Sequence, residues 1–198
     1  MLYSFLRSVA RLVFLSTSGR FDVRGRSLIP KGNYVLIAPH KTWLDPLVFA
    51  MAASPKEFGF LAKKELYQSH VLSFILHRTH GIAVDRKHPG PSIVIKPVRI
   101  LEKTNLSIII FPSGTRHSQK LKSGAALIAK LAKVPLEPAV YQGPLTFKDL
   151  LHRQKIHVAF GHPIKVDPHV KFNDQAQEKI EQRMQTAFSQ LRQSLQKK

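Results

Sequence analysis

Short apolar runs alternate with helical patterns along most of the chain. The apolar runs predict β-strands over residues 34–38, 58–62, 81–84, 107–111, 136–141 and 156–160. Between these strands, apolar residues recur at helical spacing over residues 46–53, 64–77, 91–103 and 123–133. Strands that alternate with helices usually pair in parallel and are covered on both faces of the sheet. The predicted fold class is therefore α/β, with a mostly parallel sheet flanked by helices.

Each end of the chain adds a helix to this alternation. The first predicted helix spans residues 1–15, and its narrow polar stripe consists of Ser4, Arg7, Ser8 and Arg11. The last one follows from an apolar stripe made of Ile180, Met184, Ala187, Leu191 and Leu195. We expect residues 1–18 to form an amphipathic N-terminal helix. We expect residues 19–198 to form a single α/β domain that ends in the C-terminal helix.

The N-terminal helix has the pattern of a membrane-interface helix. A helix over residues 1–15 is about 22 Å long, which is short of the roughly 30 Å hydrocarbon core of a bilayer. A wide apolar face with arginines in a narrow polar stripe favours a helix lying in the membrane interface. The alternative is an ordinary helix packed on the protein's own core. The first interpretation places the protein at the cell membrane, peripheral or monotopic, on the cytoplasmic side.

The charge balance narrows the class of partners. The chain has 31 Lys and Arg residues against 12 Asp and Glu residues, a formal net charge of +19. Such an excess indicates polyanionic partners, namely nucleic acid, an anionic membrane surface or phosphorylated substrates. The basic residues are spread along the chain without a nucleic-acid-binding motif, so we expect no nucleic acid. Cysteine is absent, which excludes disulfides and thiolate metal ligands, and we expect no bound metal.

The candidate chemistry begins directly after the predicted strand over residues 34–38. His40 leaves that strand, and Asp45 follows at a predicted helix start, where open α/β sheets usually hold their active sites. A neutral imidazole can take a proton from a hydroxyl, and a carboxylate on its other nitrogen fixes the tautomer. Asp45 followed by Pro46 is also a typical N-cap and first helical residue, and both interpretations can hold together. Three further pairs share this spacing without its context: His80/Asp85, His162/Asp167 and His169/Asp174.

Two further strand ends carry residues suited to a phosphate group. Arg86 follows the strand over residues 81–84, and Arg116 follows the strand over residues 107–111. The guanidinium group offers a planar fork of donors that matches the oxygens of a phosphate. The second turn also contains Ser113, Gly114 and Thr115, and its glycine permits a backbone conformation that directs N–H groups at an anion. We expect the two arginines to form a phosphate clamp beside His40.

These segments resemble the 1-acylglycerol-3-phosphate acyltransferases, the PlsC-type members of the glycerolipid acyltransferase family. The resemblance covers roughly residues 20–165 and rests on four blocks that occur in the family's order. The blocks are the H-x4-D motif at His40 and Asp45, the second block at 81–86, the F-P-E-G-T-R-like segment at 111–116 and the proline-bracketed segment at 134–138. Three positions depart from the family's pattern: Pro39 replaces Asn, Ser113 replaces Glu, and Glu137 occupies an apolar site.

The resemblance implies acyl transfer from a thioester to the sn-2 hydroxyl of lysophosphatidic acid, which forms phosphatidic acid in phospholipid biosynthesis. In this interpretation His40 is the base, Asp45 orients it, and Arg86 and Arg116 bind the acceptor phosphate. The donor is acyl-acyl carrier protein or acyl-CoA, and no cofactor is needed. Backbone N–H groups near Gly114 or at the helix start are candidates for stabilising the oxyanion.

Two alternatives remain open on the sequence. The first is an acyltransferase of the same fold that acts on a different lyso-lipid acceptor, because Ser113 lacks the charge of the family's glutamate. The second is a non-catalytic module that binds lipid or nucleic acid through the basic surface. The second alternative predicts binding that depends on salt concentration and is indifferent to His40.

Overall fold

The computed structural model describes residues 2–85, 88, 90–114 and 121–196. Seven strands form its central sheet: β1 (Asp22–Arg24), β2 (Val35–Ile37), β3 (Phe58–Lys63), β4 (Gly81–Val84), β5 (Ser107–Ile110), β6 (Leu136–Gln142) and β7 (His157–Phe160). Within the same described ranges, seven α-helices accompany the strands: α1 (Leu2–Ser18), α2 (Asp45–Ala52), α3 (His70–Arg78), α4 (Ser92–Lys103), α5 (Gly124–Leu131), α6 (Phe147–Leu151) and α7 (Asp174–Gln196). The predicted α/β class is confirmed.

The strands lie in the order β1-β7-β6-β2-β5-β3-β4. All neighbouring pairs are parallel except β6 and β7, which are antiparallel. The central strands β2 and β5 are buried at every residue, because helices cover both faces of the sheet. This double burial explains why these strands are continuous apolar runs in the sequence. From β2 the chain passes to β3 and then to the edge strand β4. It then returns to β5, between β2 and β3, and crosses to β6 on the other side of β2.

The helices form two layers. Phe14 of α1 and Val48 and Phe49 of α2 pack with one face of the sheet in a single apolar cluster. A second cluster joins the opposite face to α4, α5 and α7. The predicted C-terminal helix is present, and Ile180 and Met184 are among its buried residues. No helix in the described ranges combines the length and the apolar character needed to cross a bilayer.

The structure corrects the predicted helix over residues 64–77. Residues Lys64–Gln68 form a 3₁₀ helix, and α3 begins only at His70. Ser69 separates the two segments because its backbone is extended, and its side-chain oxygen accepts a hydrogen bond from the N–H of Leu72. This is the arrangement of a serine N-cap, which starts a new helix rather than continuing the old one.

Two short elements were missed by the apolar pattern. The edge strand β1 has only three residues, and neither Asp22 nor Arg24 contributes to an apolar run. Helix α6 has five residues and begins with a capping box, in which Thr146 and Asp149 satisfy each other's backbone N–H groups. The spacing of Thr146 and Asp149 was a readable signal for the start of α6, whereas nothing in the sequence marks β1.

Candidate active site

The carboxyl ends of β2 and β5 bring two of the predicted blocks together. The two strands are parallel and in register, with Ile37 opposite Ile110. The residues that follow therefore leave the sheet side by side, His40 after β2 and Phe111 after β5. This place lies where the chain reverses its direction across the sheet, which is the usual position of a ligand site in an open α/β fold.

His40 and Asp45 are in direct contact. His40 Nδ1 lies 2.9 Å from Asp45 Oδ2, and the two side chains are 14% and 1% exposed. A carboxylate only accepts hydrogen bonds, so this contact places the imidazole proton on Nδ1 and leaves the lone pair on Nε2. The arrangement provides a base whose tautomer and orientation are both fixed.

Asp45 organises the loop before its helix rather than capping the helix itself. Its Oδ2 accepts hydrogen bonds from the backbone N–H groups of Lys41 at 2.7 Å and Thr42 at 2.9 Å. Asp45 is the first residue of α2, Leu44 stands at the N-cap position, and no side chain caps this helix. The prediction that Asp45 is also an N-cap is therefore wrong. Its carboxylate folds back over the loop because the imidazole and two N–H groups lie on that side.

Phe111 stacks on the imidazole of His40. The two ring centroids are 4.2 Å apart, and the ring planes differ by 17°. Phe49 of α2 also packs against Phe111, with the ring centroids 6.5 Å apart. The His40 ring is thus held by a carboxylate at its edge and an aromatic ring on its face. Sequence reasoning missed this contact, because the sequence does not show that β2 and β5 are neighbours.

Replacing Phe111 by Ala is expected to lower kcat by about tenfold to a hundredfold with little change in KM. The reason is that the imidazole loses the surface that fixes its ring plane, and misplacement of a catalytic group by about 1 Å has effects of this size. Steady-state kinetics separates the two constants. The matched control is Phe111→Leu, which keeps an apolar side chain and should retain more of the rate. An unchanged kcat in Phe111→Ala would show that the stack has no positioning role.

The turn after β5 differs from the predicted anion-binding turn. Gly114 has the predicted left-handed conformation, with φ near +71°. Its N–H, however, donates to the carbonyl oxygen of Phe111 at 2.8 Å and therefore closes the turn. Ser113 is buried beside it. The N–H groups of Gly114, Lys41 and Thr42 are thus all engaged within the protein, which argues against them as oxyanion donors.

The predicted phosphate clamp lies outside the described residues. Arg86, Thr115 and Arg116 all belong to the segments for which no placement is given. The described neighbours Asp85 and Gly114 end at the same edge of the sheet as His40, which is where the prediction located the clamp. The clamp stays a prediction.

An apolar cavity of about 300 Å³ adjoins this edge of the sheet. Phe111, Pro112 and Gly114 form one part of its wall, and Pro46 of α2 another. Strands β3, β4 and β5 and helices α4 and α5 supply most of the remaining walls, which are apolar, and Lys122 before α5 adds one basic residue. Phe111 lines this cavity and also stacks on His40, so one ring links the two. An apolar space of this kind suits a hydrocarbon chain.

Two side chains near the dyad have shifted pKa values. Burial lowers the pKa of Lys41, and the positive charge of Arg192 on α7 lowers it further. Burial raises the pKa of Tyr141, with the negative charge of Asp45 as a smaller cause. The described part of the chain contains no cluster of three or more His, Asp or Glu side chains suited to hold a metal.

The other histidines with an aspartate five residues away have different contacts. His80 Nε2 lies 3.5 Å from Glu57 Oε2, and the backbone N–H of His169 donates to Asp167 at 2.8 Å. A second close histidine–aspartate pair exists at the edge of the sheet, where His157 Nδ1 lies 2.9 Å from Asp22 Oδ2. Both of its side chains are about one-third exposed or more, and neither lines the cavity beside Phe111.

Fold and site together define an α/β protein with a largely buried histidine–aspartate pair at the carboxyl edge of its sheet, near an apolar cavity. Comparison with known proteins assigns the family. The model of the acyltransferase family matches residues 20–142, and the chain belongs to this family. The resemblance predicted from the four sequence blocks is thereby confirmed.

Two relatives and one solved structure show how far the similarity extends. The chain is 40% identical over 193 residues to a 1-acyl-sn-glycerol-3-phosphate acyltransferase of Streptococcus pneumoniae, covering 96% of this chain and 73% of the relative. It is 34% identical to the enzyme of the same name from Bacillus subtilis, covering 82% of each chain. The crystal structure of the lysophosphatidic acid acyltransferase PlsC from Thermotoga maritima has a TM-score of 0.75 at 17% identity, covering 99% of this chain and 80% of that one. This last likeness shows a shared fold.

Proposed function

We propose that this protein transfers a fatty acyl group from a thioester to the sn-2 hydroxyl of lysophosphatidic acid, and so forms phosphatidic acid for phospholipid biosynthesis. The observation that carries the proposal is the 2.9 Å contact between His40 and Asp45 beside the apolar cavity. The substrate follows from the names of the two relatives, each of which is matched over most of its length.

His40 performs the proton transfers of this reaction, and Asp45 orients and stabilises it. The lone pair on His40 Nε2 takes the proton of the sn-2 hydroxyl while the hydroxyl oxygen attacks the thioester carbonyl. Asp45 stabilises the imidazolium through Nδ1, as the carboxylate does in hydrolytic triads. When the tetrahedral intermediate collapses, the carbon–sulfur bond breaks, and the imidazolium returns its proton to the leaving thiolate. The products are the ester and a free thiol, and the histidine is restored.

The remaining substrate contacts follow from the sequence blocks and the cavity. Arg86 and Arg116 bind the acceptor phosphate, and Ser113, Gly114 and Thr115 contribute to binding the acceptor. The apolar cavity beside Phe111 receives a fatty chain. The donor is acyl-acyl carrier protein or acyl-CoA, both of which carry negative charge and suit a protein of net charge +19.

The proposal is tested by supplying the pure protein with each acyl donor and a panel of lyso-lipids. The panel contains lysophosphatidic acid, lysophospholipids with larger head groups and a lyso-aminolipid, and mass spectrometry identifies the product. We expect phosphatidic acid as the main product. Because Ser113 replaces the family's glutamate, the specific alternative is preference for another lyso-lipid acceptor. Absence of any acylated product with either donor would refute the proposed activity.

Helix α1 attaches the protein to the membrane in this proposal, at the cytoplasmic side of the cell membrane. Phe14 on its inner face is buried, whereas Phe5 and Leu12 on the outer face are 62% and 69% exposed. The polar residues Ser4 and Arg7 turn inward, where they contact Glu57 and the carbonyl oxygen of Pro55. An outer face of apolar side chains suits insertion into the membrane interface.

The double variant Phe5→Ser/Leu12→Ser is expected to weaken binding to vesicles of phosphatidylglycerol by roughly tenfold or more. Two large apolar side chains contribute about 1.5–3 kcal/mol each when they leave water. Vesicle sedimentation measures the change, and circular dichroism verifies that α1 remains helical. The control is Ser8→Ala, which alters a polar residue of the same helix and should bind normally. Equal binding of the double variant and the parent protein would place the attachment elsewhere.

A further inference from the structure

Helix α3 presents its apolar stripe to the solvent. Val71, Phe74 and Ile75 lie three and four positions apart on one face of the helix, and their side chains are 69%, 55% and 36% exposed. A surface helix normally turns such a stripe toward the core, yet α3 has no buried residue. Leu66 in the preceding 3₁₀ helix and Leu72 are also more than two-fifths exposed. This concentration of exposed apolar surface requires a partner or an apolar environment.

Basic side chains surround this stripe. Arg78 is one turn beyond Phe74 on the same face, and its guanidinium lies 5.3 Å from the centre of the Phe74 ring. Lys63 and Lys64 precede the helix, and their side chains are about half exposed. Each of these two lysines also pairs with a carboxylate, Glu65 and Asp85 respectively. Apolar side chains framed by arginine and lysine match the chemistry of an anionic lipid surface, where the chains meet the phosphates.

The exposed stripe belongs to the same layer of helices as α1. Connections between parallel strands are right-handed, and the steps from β2 to β3 and from β3 to β4 run in the same direction across the sheet. Helices α2 and α3 therefore cover the same face, and α1 packs on α2. Tyr3 at the start of α1 contacts His80 just after α3, with ring centroids 5.3 Å apart. The outer surfaces of α1 and α3 thus belong to one side of the protein.

We propose that α3 is a second membrane-docking helix. Val71, Phe74 and Ile75 enter the interface of an anionic bilayer, and Arg78 remains at the level of the lipid phosphates. The inference rests on the proposed attachment through α1 and extends it. A single helix leaves the domain free to rotate about the helix axis, whereas two joined helices fix which side of the domain faces the lipid.

The direct test places a probe on the stripe. Since the chain contains no cysteine, a Phe74→Cys variant can be labelled at that single position with an environment-sensitive dye. On vesicles of equal parts phosphatidylglycerol and phosphatidylcholine, we expect a several-fold rise in emission and quenching by spin-labelled lipid. The matched control is Leu131→Cys on α5, which is similarly exposed on the opposite layer and should show neither effect. Unchanged emission from the Phe74 probe on vesicles that bind the protein would overturn the proposal.

A second measurement uses substitution instead of a label. Val71→Ser/Phe74→Ser is expected to weaken vesicle binding by roughly tenfold, whereas Leu131→Ser/Val170→Ser removes exposed apolar side chains outside the stripe and should not. Equal weakening by both double variants would overturn the proposal. So would a lipid-free dimer that the α3 variant dissociates, since this would assign the stripe to a second copy of the chain.

Acyl transfer to detergent-dispersed acceptor should stay normal in the α3 variant. Failure of the parent protein in that assay would count against the proposed activity and leave the vesicle results intact.

Discussion

Replacing His40 by Ala is expected to lower turnover by roughly two to four orders of magnitude, which is the usual contribution of general base catalysis. The variant removes the group that accepts the hydroxyl proton and later protonates the leaving thiolate. Because His40 lies in a loop at the edge of the sheet and its side chain retains some solvent exposure, we expect the fold to tolerate the change. Single-turnover kinetics with saturating donor measures the loss, and a thermal unfolding curve verifies that the variant is folded.

The protein supplies a matched control for this experiment. His157 forms a contact with Asp22 of the same length, 2.9 Å through Nδ1, but at the exposed edge formed by β1 and β7. His157→Ala should therefore leave turnover within about twofold of the parent. Comparable losses in the two variants would mean that any broken histidine–aspartate contact disables the protein. Near-normal turnover in His40→Ala would remove His40 from the mechanism as the base. Absence of turnover in the parent protein would instead favour a non-catalytic lipid-binding protein.

The contact between His40 and Asp45 was predictable because both follow a continuous apolar run that ends at a loop and a helix start. The runs that became β2 and β5 are so apolar that their burial on both faces of a parallel sheet follows from the sequence. That these two strands are neighbours, which brings Phe111 onto His40, does not follow from it. The hydrogen bonds from the loop to Asp45 were not predictable either, because they depend on which N–H groups the loop offers. Only the folded loop shows that Lys41 and Thr42 supply them.

The outer surface of the helices could be predicted less well than the core. A helical pattern shows that apolar residues share a face, but it does not show whether that face meets the sheet. In α1 the polar pair Ser4 and Arg7 turns toward the protein, and in α3 the stripe that contains Phe74 turns away from it. The same spacing of apolar residues occurs in an ordinary amphipathic helix, whose apolar face packs on the core. The directions of these faces are set by the strands around them, which local spacing does not encode.

Glu137 is a residue inside the core whose surroundings could not be predicted from the local sequence pattern. The strand over residues 136–141 was predicted from its apolar run, and its single carboxyl group was noted as a departure from the family. In the structure Glu137 lies on β6 opposite Leu36 of β2 and is fully buried. Neither of its oxygens has a hydrogen-bond partner among the residues described, and the nearby hydroxyl of Tyr34 has none either. Burial raises the pKa of Glu137 to about 8.

This buried acid is expected to make folding stability fall as the pH rises from about 4.5 to about 8. Below pH 4.5 the Glu137 carboxyl is protonated in both the folded and the unfolded state. The full contribution of the neutral acid to folding stability is therefore present there. Within the range the unfolded chain releases the proton while the folded protein keeps it, so every pH unit favours unfolding. One pKa unit corresponds to about 1.4 kcal/mol, which makes the loss at pH 7 about 3 kcal/mol.

Glu137→Gln removes this titration and keeps the shape of the side chain. Urea unfolding at several pH values should show that the free energy of unfolding of Glu137→Gln rises relative to that of the parent protein between pH 4.5 and about pH 8. The difference should be largest near pH 8. Glu102→Gln on the exposed face of α4 is the control, and its curve should run parallel to that of the parent. The difference between variant and parent isolates this one group, because the other titrating residues are common to both. Parallel curves for Glu137→Gln would show that the carboxyl is ionised in the folded state, which requires a cation or water network beside Tyr34.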